Sequence, residues 1–157
     1  MYFWNTEKLI DDLKNNRLTE ESFKNYYIAV GLFTLLGMYA VHLAPRINPQ
    51  SVIVEFVLGI GILITGLNAL FAANGGNAGK YFLNRTVSLA LPISIKLLVL
   101  SIIPYVIFIG TFQYLNGSFD KPGIIDPRLE WFDTIFTLLI QLITYWRIYV
   151  ALKKVNS

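Results

Sequence analysis

Four long, mostly apolar stretches govern what this chain can become: residues 24–43, 52–73, 93–115 and 131–152. Each is close to or beyond the roughly 20 helical residues that cross a hydrocarbon layer about 30 Å thick. A helix at a water-facing surface must carry a polar side. FVLGIGILITGLNALFAA has only Thr65 and Asn68 with which to build one. Charged residues make up 15% of the chain, against about 25% in an ordinary soluble domain. The sequence therefore predicts an all-α membrane protein. It is a single membrane domain of four transmembrane helices, with amphipathic interfacial helices before the first and third.

The interfacial helices follow from local pattern. In TEKLIDDLKNN, Leu9, Ile10 and Leu13 share a helical face, with Glu7, Asp11, Asp12 and Lys14 around the rest. This predicts a helix within residues 1–18 lying on the membrane surface, its MYFW aromatics suited to the headgroup layer. Thr19 then stands as a helix cap before Glu20 and Glu21, with Leu18 set to staple against Phe23. Asn48-Pro49 and Asp126-Pro127 supply the cap and first helical position of the second and fourth spans. GKYFLNRTVSLALP gathers Lys80, Asn84, Arg85 and Ser88 on one side, predicting a second interfacial helix over 79–91 that ends at Pro92. Pro104 predicts a kink in the third span, either static or a hinge, where the Ser101 hydroxyl is placed to offset part of the lost bonding.

Basic residues set the orientation. Lys8, Lys14, Arg17, Lys24, Lys80, Arg85, Lys96, Arg147, Lys153 and Lys154 fall on one side, and Arg46, Lys121 and Arg128 on the other. Lysine and arginine collect on the cytoplasmic side, so both termini are expected there. No basic leader precedes an apolar core at the N-terminus, so no cleaved signal peptide is expected. The chain has no cysteine, which excludes disulfides and thiolate metal sites.

AANGGNAGKY, residues 72–81, has the look of a phosphate loop. That loop requires G-x-x-x-x-G-K followed by Ser or Thr, between a strand and a helix. Aligned on Gly79-Lys80, Asn74 replaces the first glycine and Tyr81 the hydroxyl residue. The preceding element is a membrane helix. The stretch is expected to be a turn, with Asn74 or Gly75 in the left-handed conformation that closes a helix.

Two groups of polar residues are candidate sites. Lys80, Arg85 and Lys96 form a basic inner face able to hold an anionic lipid headgroup or a partner's acidic tail. Lys96, one turn into the third span, is expected to reach back to the headgroups. Within the spans, every ionisable group needs an account. His42, Glu55, Glu130 and Asp133 on the outer side are either ion pairs that lock helix ends or a proton- or cation-handling cluster. No metal-ligand spacing such as H-E-x-x-H is present, so no metal is expected. Asn68, Gln141, Thr144 and Arg147 either glue helices together or line an ion path. Gly59, Gly66 and Ala73, seven apart, form a seam for close helix approach, to another helix of the chain or to a second copy. Without a serine–histidine pair or paired catalytic carboxylates, neither catalysis nor a cofactor is expected.

DLKNNRLTEESFKNYY and GGNAGKYFLNRTVSLALPISIK resemble segments of small four-helix bacterial inner-membrane proteins of unknown function. The resemblance implies a multi-pass protein of a bacterial inner membrane, with no activity and no functional residue carried over. The expected function is non-catalytic: an accessory or assembly protein binding other membrane proteins, a second copy or anionic lipid. Its rival is a small oligomeric channel or transporter subunit for an ion or small solute. Nucleic acid and nucleotide are not expected ligands.

Overall fold

The computed structural model describes residues 1–43, 48–115 and 127–156, with side chains for all of these except 39–43 and 127. Among the described residues the regular elements are all helical. They run α1 (Thr6–Lys14), α2 (Glu20–Leu43), α3 (Pro49–Ala73), a 3-10 turn (Gly76–Ala78), α4 (Phe82–Leu115) and α5 (Pro127–Asn156). By length and composition, α3, α4 and α5 are each able to cross a membrane.

The helix ends follow their caps. Asn5 Oδ1 accepts from the Lys8 amide at 3.0 Å and opens α1. Thr19 Oγ1 accepts from the Ser22 amide at 3.2 Å and opens α2. Asn48 Oδ1 accepts from the Gln50 amide at 3.0 Å, with Pro49 in the first turn of α3. Asp126 lies outside the described residues, but α5 is helical from Pro127.

The break expected at Pro92 does not occur: α4 is continuous through both Pro92 and Pro104. A proline in a helix interior removes one amide donor and crowds the carbonyl four residues back. At Pro92 that cost is outweighed by packing, because Leu89, Leu91, Pro92 and Ile93 are all buried. A local stop signal thus yields to the core. Near Pro104, the Ser101 hydroxyl donates to the Leu98 carbonyl at 2.9 Å, not to the Leu100 carbonyl that faces the proline.

The principal helix contacts among the described residues run in a row, α2 on α4, α4 on α5 and α5 on α3. The α3–α5 contact is the small-residue seam, and its partner lies within the chain. Gln141 Nε2 donates to the Gly59 carbonyl at 3.4 Å. A Cβ on Gly66 would stand 2.6 Å from the Tyr145 ring. Asn156 Nδ2 donates to the Ala73 carbonyl at 2.9 Å. Between α4 and α5, Phe108 stacks on Phe132 with centroids 3.6 Å apart, flanked by Tyr105 and Phe136.

Among the described residues, the buried apolar core gathers at one end. Leu70 at the end of α3, Leu89, Leu91 and Ile93 early in α4, and Ile148, Ala151, Leu152 and Val155 late in α5 are buried together with Tyr26. Leu9, Ile10 and Leu13 of α1 complete this core. The apolar face of α1 is therefore covered by α4 and α5, where the sequence suggested it would meet the bilayer. Burying those three side chains contributes about 1.5–3 kcal/mol each, as an upper bound. Polar contacts fix the placement: Lys96 Nζ donates to Thr6 Oγ1 at 2.9 Å, and Lys154 Nζ pairs with Glu7 at 3.0 Å.

Candidate functional site

The glycine-rich stretch is a turn organised by one asparagine. Asn74 is buried, and its backbone amide donates to the Leu70 carbonyl at 2.9 Å. Gly75 and Gly76 then adopt φ values of +99° and +58°, which reverse the chain. The left-handed closure thus falls on Gly75, while Asn74 remains helical. Asn74 Nδ2 donates across the turn to the Lys80 carbonyl at 3.2 Å. Gly79 passes so close that a Cβ there would overlap the Asn74 carbonyl. Only a residue without a side chain fits.

Arg85, in the first turn of α4, is held by the same asparagine. Its Nη1 donates to Asn156 Oδ1 at 2.8 Å and to Asn74 Oδ1 at 3.4 Å. Both partners are neutral amides. Among the described residues no carboxylate lies within ion-pair distance of this guanidinium. Its Nε and Nη2 donors have no acceptor among those residues. A cation so placed is oriented without being neutralised.

Beside it is a cavity of about 120 Å³. Asp12 and Leu13 line it from α1, Asn16 and Leu18 from the α1–α2 connection, Glu20 and Phe23 from α2, Tyr81 from just before α4 and Arg85 from its first turn. Asn16 and Tyr81 have φ values of +51° and +57° and are the non-glycine residues in that region among those described. Asn16 is the left-handed closure of α1, a position asparagine adopts readily, with the Arg17 amide donating to the Asp12 carbonyl at 2.8 Å. At Tyr81, which borders the same cavity, the left-handed region costs about 1 kcal/mol or more. The cavity's acids differ in occupation. Asp12 accepts from the Tyr2 hydroxyl at 2.6 Å and pairs with Arg17 at 3.4 Å. Glu20 is exposed and has no side-chain bond among the described residues.

The three cations expected to form one basic face are distributed differently. Lys96 is eleven residues beyond Arg85, about 16 Å along the helix. Its ammonium is engaged by Thr6 and lies 5.9 Å from the Trp4 ring centroid. It reaches α1. Lys80 is exposed at the rim of the turn.

The acids expected on the outer side make separate contacts. Glu130 is buried, and its Oε2 accepts from the Asn48 amide at 2.8 Å and the Ser51 hydroxyl at 3.4 Å, which anchors the start of α3. Asp133, one turn on, accepts from the Tyr105 hydroxyl of α4 at 2.8 Å. Glu55 is half-buried on α3. The side chain of His42 lies outside the described residues, as does Arg46. Among the described residues no group of three acids or histidines is arranged to hold a metal. Of the inner polar residues, Gln141 meets Gly59, Thr144 donates to the Ile140 carbonyl at 2.8 Å, and Asn68 and Arg147 are exposed.

The hold of Asn156 and Asn74 on Arg85 is what sequence reading overlooked. An asparagine near a helix end signals a cap, and nothing local says which arginine it will orient. The fold and its apolar helices define a helical protein compatible with membrane insertion. Comparison with known protein families, curated proteins and solved structures found no match.

Proposed function

We propose that this chain is a multi-pass protein of a bacterial inner membrane, with α2 as a fourth span and both termini cytoplasmic. It acts by binding, as an accessory or assembly component, and its contact with other membrane constituents runs through an anionic group held at Arg85. The observation that carries this reading is the state of that guanidinium: fixed by Asn156 and Asn74, yet unpaired with any acid among the described residues. Arginine presents a planar fork suited to phosphate or carboxylate, and a pre-oriented fork loses less entropy on binding. Lys80 adds positive potential at the rim. An ion path draws no support from the inner polar residues. Gln141 is held in the α3–α5 seam, and Asn68 lies nine residues beyond Gly59, on the opposite side of α3.

The test is native mass spectrometry of the protein released from nanodiscs of mixed phosphatidylglycerol and phosphatidylethanolamine. The wild type should carry bound phospholipid, and Arg85→Ala should lose it. Equal retention by both proteins would remove Arg85 from the function.

A further inference from the structure

The cavity beside Arg85 has a charge pattern that a simple anion site would not need. One wall is a cation with donors to spare. Two other lining residues are carboxylates, Asp12 and Glu20, neither within ion-pair distance of Arg85. An anion alone would be attracted by the guanidinium and repelled by the acids. A cation alone would meet the reverse. A ligand carrying both charges a few bonds apart satisfies the two walls together.

Resting on the anion-binding reading above, we infer that this cavity receives a phosphate–primary ammonium zwitterion, the headgroup chemistry of phosphatidylethanolamine. The phosphate oxygens accept from Arg85 Nε and Nη2, since Nη1 is occupied by Asn156 and Asn74. The ammonium donates to Glu20, with Asp12 behind it. Asp12 already accepts from Tyr2 and Arg17 and supplies field more than a free acceptor. A primary ammonium has three N–H donors for these carboxylates, whereas a quaternary ammonium has none and is bulkier. At about 120 Å³ the space suits one compact polar group, not an acyl chain. Tyr81, 57% exposed, stands at the edge with its ring available to cover the ligand. Its left-handed backbone is strain of the kind found where a wall is shaped for a ligand. A soluble phosphorylated amine has the same chemistry, so the experiment separates the two sources.

The full-length protein is placed in nanodiscs containing equal phosphatidylethanolamine, phosphatidylcholine and phosphatidylglycerol, and retained lipids are identified by native mass spectrometry. The wild type should retain phosphatidylethanolamine over phosphatidylcholine by roughly tenfold, the scale of one charge-assisted hydrogen bond. Glu20→Gln should erase that preference while lipid is still retained. Because Glu20 is exposed and unbonded among the described residues, this variant should fold as the wild type does, checked by circular dichroism. Arg85→Lys, which keeps the charge but not the fork, should weaken retention of all three lipids. Free O-phosphoethanolamine that displaces the lipid would identify a soluble source of the same group. Continued retention against it would identify the bilayer. Equal retention of phosphatidylethanolamine and phosphatidylcholine, or a preference that survives Glu20→Gln, overturns the inference. Phosphatidylglycerol retained through Arg85 without that preference overturns it while leaving the anion-binding function standing. If no lipid depends on Arg85, both are lost.

Discussion

Replacing Gly66 by alanine tests the α3–α5 seam at its tightest point. The added Cβ would lie 2.6 Å from both Cγ and Cδ1 of Tyr145, where carbon atoms normally sit about 3.5–4.0 Å apart. Relief is not available at the tip of a flexible chain. The clash is at the root of a ring that packs against the buried core. Overpacking of this kind costs about 1–3 kcal/mol, and the gain from replacing a helical glycine returns about 1 kcal/mol. Gly66→Ala should therefore destabilise by up to about 2 kcal/mol. Gly61 is the internal control. It is on the same helix with nothing within 4 Å, so Gly61→Ala should be neutral or stabilising by up to about 1 kcal/mol. Both can be followed by circular dichroism during unfolding in sodium dodecyl sulfate from a common detergent. In a Tyr145→Ala background the ring is gone, and Gly66→Ala should lose its cost, giving a coupling energy for the pair. If Gly66→Ala is as well tolerated as Gly61→Ala, the seam does not pack as described.

Two further outcomes follow from the polar contacts. Glu130→Ala strands the Asn48 amide at the start of α3 and should cost about 1–3 kcal/mol in the same unfolding assay, with Glu130→Gln milder because an acceptor remains. Faster amide exchange at Asn48 should accompany it, and unchanged exchange would dissociate Glu130 from the cap. The phenol of Tyr2 is held above its ordinary value of 10.0, chiefly by its hydrogen bond to Asp12 and secondarily by burial. A raised folded-state value means the folded chain keeps a proton that the unfolded chain releases. This contribution to stability is whole below pH 10 and is lost as pH rises through the folded value. Carbon-13 NMR titration of labelled tyrosine should show Tyr2 moving back toward 10 in Asp12→Ala, and identical titrations would exclude the bond.

Much of the fold was legible because membrane helices and their caps are local. Apolar length identified the segments that became α3, α4 and α5, and Thr19 and Asn48-Pro49 marked where α2 and α3 begin. The spacing of Gly59, Gly66 and Ala73 revealed a seam but not its occupant, since small residues admit any neighbour. Pro92 misled for the opposite reason. The rule that a proline ends a helix is local, and the burial of Leu89, Leu91 and Ile93 that overrides it is not. The amphipathic pattern of α1 established that Leu9, Ile10 and Leu13 need cover, and could not distinguish protein from lipid as the cover. At the candidate site, Arg85 was legible as a cation. Its freedom from acids, and the role of Asn156 from the far end of the chain, depend on the tertiary structure alone.

The partnership between α1 and α5 also bears on how the protein is made. Lys154 and Glu7 are 147 residues apart, a delay of roughly 7–30 s at ordinary rates of synthesis. For that interval α1 lacks α5, one of the two helices that cover it, and its three apolar side chains stay incompletely buried. The helices between can form one after another, but the core cannot close until α5 has been made. Until α5 has been made, α1 thus stays open to proteases and chaperones, and its docking against α5 closes the core.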